Sequence, residues 1–193
     1  MTGVPEGREG ESRLAVTESA AGTKELAARV APLVRAGDVV LLVGDLGAGK
    51  TAFAQGFAAA LGVRGPVTSP TFALVRHYRT GAGSTVATLI HADVYRTGSL
   101  GEVIDLALAE LVEEDAVALV EWGDDAAPAL GESALVVTLV APDPTGAPDR
   151  RAVTIELRGA WRARVAEVAD AVAPFEARTV SGGRSRGGSE GGP

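Results

Sequence analysis

The stretch Leu41-Leu42-Val43-Gly44-Asp45-Leu46-Gly47-Ala48-Gly49-Lys50-Thr51 constrains this chain more than any other. It reads as a buried strand, then Gly-x-x-x-x-Gly-Lys-Thr, then a helix, the order of a phosphate-binding loop or Walker A motif. Polyphosphate is highly charged, and consecutive backbone N–H groups plus a helix N-terminus can meet it at close range. Gly44, Gly47 and Gly49 permit a tight loop and keep Cβ atoms away from the phosphates. Lys50 is expected to reach the β- and γ-phosphates, and the Thr51 hydroxyl to sit on Mg²⁺. The bare pattern also fits a Gly-rich turn capping a helix, so context decides. Val39 to Val43 is apolar and rich in β-branched residues. Thr51 to Leu61 suits a helix, with Phe53, Phe57 and Leu61 at i, i+4 and i+8. Strand, loop and helix fall in the order that a nucleotide site requires.

At 193 residues the chain suits one domain with an ordinary core. It has no cysteine, which excludes disulfides, thiolate metal sites and a cysteine nucleophile. No apolar segment follows Met1 and no apolar run reaches membrane-spanning length, so a cytoplasmic protein without membrane association is expected. The net charge is −7, and Arg178, Arg184 and Arg186 against Glu176 and Glu190 make the tail slightly basic. The acidic body left over is a poor independent binder of nucleic acid, because phosphate contacts need a basic surface.

Residues 1–12 are rich in Gly and Glu, and 176–193 in Gly, Ser and Arg; both read as disordered flanks of a domain spanning 13–175. Arg13 to Thr17 suits a short strand. Ser19 caps a helix expected to run to about Val34, with Leu26, Val30, Leu33 and Val34 as its apolar stripe. Thr23 in its first turns reads, from the residues alone, as a tolerated polar residue. Ser69-Pro70 forces an extended or turn conformation. Ser69 and Thr71 there suit a strand-entry turn, or a switch loop offering hydroxyls near a γ-phosphate. Thr71 to Arg79 and Thr85 to Ala92 read as two strands joined by the Gly81-Ala82-Gly83-Ser84 loop. His77 and His91 read as ordinary strand residues. Asp93 ends the second strand; a carboxylate there could position water or metal, or simply cap a turn. Ser99-Leu100-Gly101-Glu102 is a capping box for a helix to about Val112. Glu113-Glu114-Asp115 reads as a solvated turn.

Ala116 to Val120 is a buried strand with Glu121 at its end, followed by Trp122. Glu121 is either a strand-terminal surface residue or a Walker B carboxylate, which holds Mg²⁺ through water. The second reading needs another acidic group on a neighbouring strand. Residues 134–140 and 152–158 alternate like strands facing water on one side, with a turn cluster at Pro142 to Gly146 between them. They suit an antiparallel meander at the sheet edge. Gly159 to Val172 reads as a last helix, with Trp161, Val165, Val168 and Val172 on one face and Pro174 ending it.

Four motifs in order then make the chain resemble the TsaE family (formerly YjeE), small P-loop ATPases of tRNA threonylcarbamoyladenosine formation. They are Gly-Asp-Leu-Gly-Ala-Gly-Lys-Thr at 44–51, Ser-Pro-Thr-Phe at 69–72, His-Ala-Asp-Val-Tyr-Arg at 91–96 and Val-Glu-Trp at 120–122. The resemblance spans roughly Ser19 to Leu139. It implies an α/β, three-layer P-loop NTPase-like fold, a mixed central sheet with helices on both faces. It implies ATP and Mg²⁺ as cofactors. The nucleotide-binding set it implies is Thr23, Gly44, Asp45, Gly47, Ala48, Gly49, Lys50, Thr51 and Ala52, with Thr51 and Glu121 on the metal. Asp93, Lys50 and Glu121 would serve hydrolysis, Ser69 and Thr71 a switch-like loop, and Tyr95, Arg96 and Trp122 would lie around the site. It implies partners resembling TsaB and TsaD, in a complex that transfers a threonylcarbamoyl group to adenosine 37 of tRNAs reading codons that start with A. Contact with tRNA would then run through those partners. The sequence departs from the family pattern at Ala52, where many members carry a second Thr, at Ala92, where an aromatic is common, and at Ala107, often Gly. These bear on affinity rather than identity.

Two other function classes fit the loop. A small-molecule P-loop kinase usually needs an Arg-rich lid, and between Asp93 and Glu121 the only base is Arg96. A nucleotide-gated binding module would hydrolyse ATP negligibly, against which Asp93 speaks through the resemblance alone.

Overall fold

A computed structural model of the chain describes residues 12–68, 75–93, 115–121, 132–141 and 149–176. The strands are β1 (Ser12–Thr17), β2 (Val39–Val43), β3 (Val75–Arg79), β4 (Thr88–Asp93), β5 (Ala116–Glu121), β6 (Leu135–Val140) and β7 (Arg151–Leu157). The helices are α1 (Ala20–Val30), α2 (Lys50–Ala60) and α3 (Val165–Val172), with 3₁₀ turns at Ala31–Leu33, Gly159–Arg164 and Ala173–Phe175. The seven strands form one mixed sheet in the order β1-β7-β6-β2-β5-β4-β3. The four central strands β6, β2, β5 and β4 run parallel, and β3, β7 and β1 add antiparallel edges.

Alternation within the strands splits the core in two. Val40, Leu42, Leu89, Leu119, Val137 and Ile155 share a cluster with Leu26 and Val30 of α1, Phe53 and Phe57 of α2, and Val168 and Val172 of α3. Val39, Leu41, Ile90, Ala118, Val120 and Val136 form the cluster on the opposite face. β5 is buried along its whole length, as a central parallel strand must be. Phe53 and Phe57 stack with ring centroids 6.3 Å apart, and burying each contributes about 2 kcal/mol. No described helix is long and apolar enough to cross a membrane.

Three expectations shift. The first helix stops at Val30, not Val34, and continues as a 3₁₀ turn. Pro32 supplies no N–H and crowds the preceding turn, although the apolar period runs on to Val34. Only β7 of the two later strands alternates in burial; β6 pairs parallel with β2 and is buried at Leu135, Val136 and Val137. The true edge on that side is β1, paired antiparallel with β7. The last helix opens as a six-residue 3₁₀ segment before α3, yet Trp161, Val168 and Val172 are buried on one face as expected. The strand start at 71–74, the capping-box helix and the 142–146 turn cluster lie outside the described residues.

Candidate nucleotide-binding site

β2, β4 and β5 are parallel, so their C-terminal ends lie together, and in open α/β sheets ligands bind beyond those ends. The loop 44–49 leaves β2 there and enters α2. Gly44, Gly47 and Gly49 adopt φ of +138°, +81° and +108°. At Gly44 a Cβ would also meet the Leu139 carbonyl oxygen at 2.2 Å, so any side chain there would break the loop from the β6 end of the sheet. Gly49 caps α2 in the left-handed region and offers no side chain to the first-turn N–H groups of the helix.

Lys50 is 5 % exposed, and its ammonium folds back to donate to the carbonyls of Gly44 at 2.5 Å and Asp45 at 2.9 Å. Asp45 also accepts the Ala48 N–H through its carbonyl, at 3.1 Å. Ala48 is buried, while Thr51 and Ala52 are half-buried in the first turn of α2. Lys50 thus sits at the base of a compact loop that its contacts with Gly44 and Asp45 close.

The second half of the site comes from β4 and β5. Asp93 and Glu121 are register partners across these parallel strands. They share the alternation of Leu89 and Leu119, which faces α2. The neighbouring-strand carboxylate that a Walker B reading of Glu121 requires is therefore Asp93. Glu121 is 2 % exposed, and its Oε1 lies 3.0 Å from Nε2 of His91. His91 is itself fully buried, and its Nδ1 has no hydrogen-bond partner among the described residues. His91 is thus no ordinary strand residue: it fixes the carboxylate of the candidate metal ligand. The resemblance includes it in the motif at 91–96 without a role, and the residues alone carry no signal for one, because its partner is 30 residues away and only the β4–β5 register brings them together. His77 is exposed on β3, as expected.

Thr23 is likewise more than tolerated. It is 1 % exposed and its hydroxyl lies 2.8 Å from that of Thr17 and 3.2 Å from the Ser19 carbonyl. Thr17 is the register partner of Arg151 on β7. Arg151 reaches the phosphate loop, with Nε 2.9 Å from the Ala48 carbonyl and Nη2 3.3 Å from that of Gly47. Nothing local in the sequence pointed to this arginine. Ser69, Thr71, Tyr95, Arg96 and Trp122 lie outside the described residues.

The donor set fits a magnesium nucleotide. Thr51, Asp93 and Glu121 offer hard oxygens, and Lys50 and the α2 N-terminus offer positive charge. Among the described residues no three His, Asp or Glu side chains form a metal cage. Magnesium with a nucleotide needs only one or two protein ligands beside phosphate and water.

The family model for the threonylcarbamoyl adenosine biosynthesis protein TsaE matches residues 17–151. A relative from Streptomyces coelicolor, named tRNA threonylcarbamoyladenosine biosynthesis protein TsaE, is 47 % identical over 114 residues, 58 % of this chain and 74 % of its own. One of the same name from Treponema pallidum is 39 % identical over 124 residues, 64 % of this chain and 88 % of its own. Among solved structures, that of Bacillus subtilis YdiB superposes with a TM-score of 0.64 at 29 % identity, covering 84 % of this chain and 95 % of that one.

Proposed function

The chain belongs to the TsaE family, P-loop proteins of tRNA threonylcarbamoyladenosine biosynthesis, and from that premise we propose that it binds Mg-ATP at the 44–51 loop and hydrolyses it slowly. The observation that carries the reading is the juxtaposition of the glycine loop, with Lys50 at its base, and the Asp93–Glu121 pair at adjoining parallel strand ends. Backbone N–H groups of the loop and Lys50 would bind the phosphates. Thr51 and Glu121 would hold magnesium, which when bound neutralises phosphate charge. Asp93 would hold and orient the attacking water. Hydrolysis would serve association with TsaB- and TsaD-like partners in the complex that modifies adenosine 37, so that tRNA is met through them. The net charge of −7 supports indirect rather than direct tRNA contact.

The test is ATP turnover with Mg²⁺ for the protein alone and with TsaB- and TsaD-like partners, beside Lys50→Ala. Turnover that rises with partners and vanishes in the variant is expected. Turnover indifferent to those partners would remove the assembly role. Phosphoryl transfer to a metabolite would make the protein a kinase instead.

A further inference from the structure

Arg151 is the first residue of β7, 103 residues beyond the loop residue whose carbonyl it binds. We infer that Arg151 is a positioning residue for the phosphate loop, aiming the Gly49 N–H at the polyphosphate by holding the outer face of the loop. The inference rests on the nucleotide reading above and deepens it.

The guanidinium makes a two-pronged contact. Nε donates to the Ala48 carbonyl at 2.9 Å and Nη2 to the Gly47 carbonyl at 3.3 Å. Nη1 donates to the carbonyl of Arg150 at 2.7 Å, which ties the head group to its own strand. A peptide unit is planar and, here, trans throughout. Holding the Ala48 carbonyl toward Arg151 therefore turns the Gly49 N–H to the opposite side. The preceding peptide is held at both ends, by Arg151 on the Gly47 carbonyl and by the Asp45 carbonyl on the Ala48 N–H. The arginine stem passes close by: a Cβ on Gly49 would lie 3.7 Å from Arg151 Nε and 3.9 Å from its Cγ.

The strand delivering this contact is fixed. β7 is paired along its length to β6 and β1. At Arg151 its β1 partner is Thr17, whose hydroxyl is locked onto Thr23 of α1 in the buried core. The arginine thus transmits the rigidity of the edge meander to a loop whose three glycines would otherwise leave it loose. It also adds a fixed positive charge beside the place where polyphosphate charge arrives. Lysine would keep the charge but not the two-pronged fork.

The experiment uses the full chain, Arg151→Ala, Arg151→Lys and Lys50→Ala, each titrated with a fluorescent ATP analogue in Mg²⁺. Backbone amide spectra of ¹⁵N-labelled protein are recorded alongside. Arg151→Ala is expected to weaken binding about tenfold, as loss of two charge-assisted hydrogen bonds implies, and Arg151→Lys by an intermediate factor. The Ala48 and Gly49 amide resonances should shift while core strand resonances stay. The last readout separates positioning of the loop from a general loss of fold. Wild-type protein that binds no analogue, or Lys50→Ala that binds it normally, would overturn the nucleotide reading and this inference with it. Wild-type binding that Arg151→Ala matches within about twofold, with the two amides unmoved, would overturn the inference alone.

Discussion

Nε2 of His91 and Oε1 of Glu121 meet at 3.0 Å between parallel strands β4 and β5, and both residues are buried. One carboxylate oxygen is thereby held by the imidazole, and the orientation of the other is fixed. A group that orients a metal ligand in this way commonly changes metal affinity about 10–100-fold when it is removed. If Glu121 holds magnesium as proposed, His91→Ala should raise the magnesium concentration needed for half-maximal ATP turnover by about tenfold or more. The check is a magnesium titration of turnover beside wild type. An unchanged magnesium requirement would mean that Glu121 needs no such support.

Asp93 supplies the second carboxylate of the strand-end pair. If it orients water rather than binding nucleotide, Asp93→Asn should leave the affinity for an ATP analogue within about threefold and lower turnover about a hundredfold, the range of a lost general base. Calorimetry and phosphate release measure the two effects separately. Turnover at the wild-type level would reassign Asp93 to a turn.

Much of this site is written in local spacing. The β2-loop-α2 unit is legible because three glycines, a lysine and a threonine at fixed offsets admit few other structures. Asp93 and Glu121 are each legible as strand-end carboxylates, and their pairing follows once β4 and β5 are parallel neighbours. His91 and Arg151 are not legible this way. Their partners lie 30 and 103 residues off, and a one-residue change in strand register would send each side chain to the other face. Pro32 marks the opposite failure, since an apolar period running on to Val34 concealed where the helix hydrogen bonds must end.

The carboxyl of Glu156 on β7 is held below its ordinary pKa chiefly by its hydrogen bond from Arg158, against the opposing effect of burial and with help from the charges of Arg158 and Arg162. The pair is two-pronged, at 2.8 and 3.0 Å. A lowered carboxyl pKa contributes stability above the unfolded-state value, and that contribution is lost as pH falls through the lower folded value. Arg158→Ala should thus return the Glu156 titration toward the ordinary carboxylate range and cost at most about 0.5 kcal/mol at neutral pH, because both side chains are substantially solvated. The side-chain carbonyl NMR shift of Glu156 against pH reads this directly. A titration unmoved by the substitution would assign the lowering to another group.

α1 and α2 cross at Gly56, where a Cβ would meet the Lys24 carbonyl oxygen at 2.3 Å and its Cα at 2.5 Å. Both are backbone atoms, so relief requires the helices to part. Alanine gains up to about 1 kcal/mol of helix propensity over glycine, and overpacking costs about 1–3 kcal/mol. Gly56→Ala should be destabilising on balance, read as a lower urea midpoint. Because α2 carries Lys50 and Thr51 at its start, nucleotide affinity should fall as well. A midpoint at or above wild type would show that the crossing can open without loss.

The strand that leads into the phosphate loop is anchored at its far end by Asp38 and Arg164. The guanidinium donates to both carboxylate oxygens, at 2.5 and 2.7 Å, donates again to the Leu33 carbonyl at 2.9 Å, and stacks 3.7 Å from the Trp161 ring centroid. The side chains are only 4 % and 12 % exposed. Asp38 also binds the backbone of Arg35 through its side chain and of Ala118 through its carbonyl, so it joins the turn, β5 and the last helical segment. Asp38→Ala leaves a buried guanidinium with its carboxylate gone, and such a loss costs about 3–5 kcal/mol. Arg164→Leu, which removes the stranded charge as well, should recover part of that loss when combined with Asp38→Ala. Urea unfolding of the two single variants and the double variant gives the coupling. Strictly additive losses would mean that the two residues stabilise the chain independently, and the anchor would then be Trp161 and its apolar neighbours rather than the ion pair.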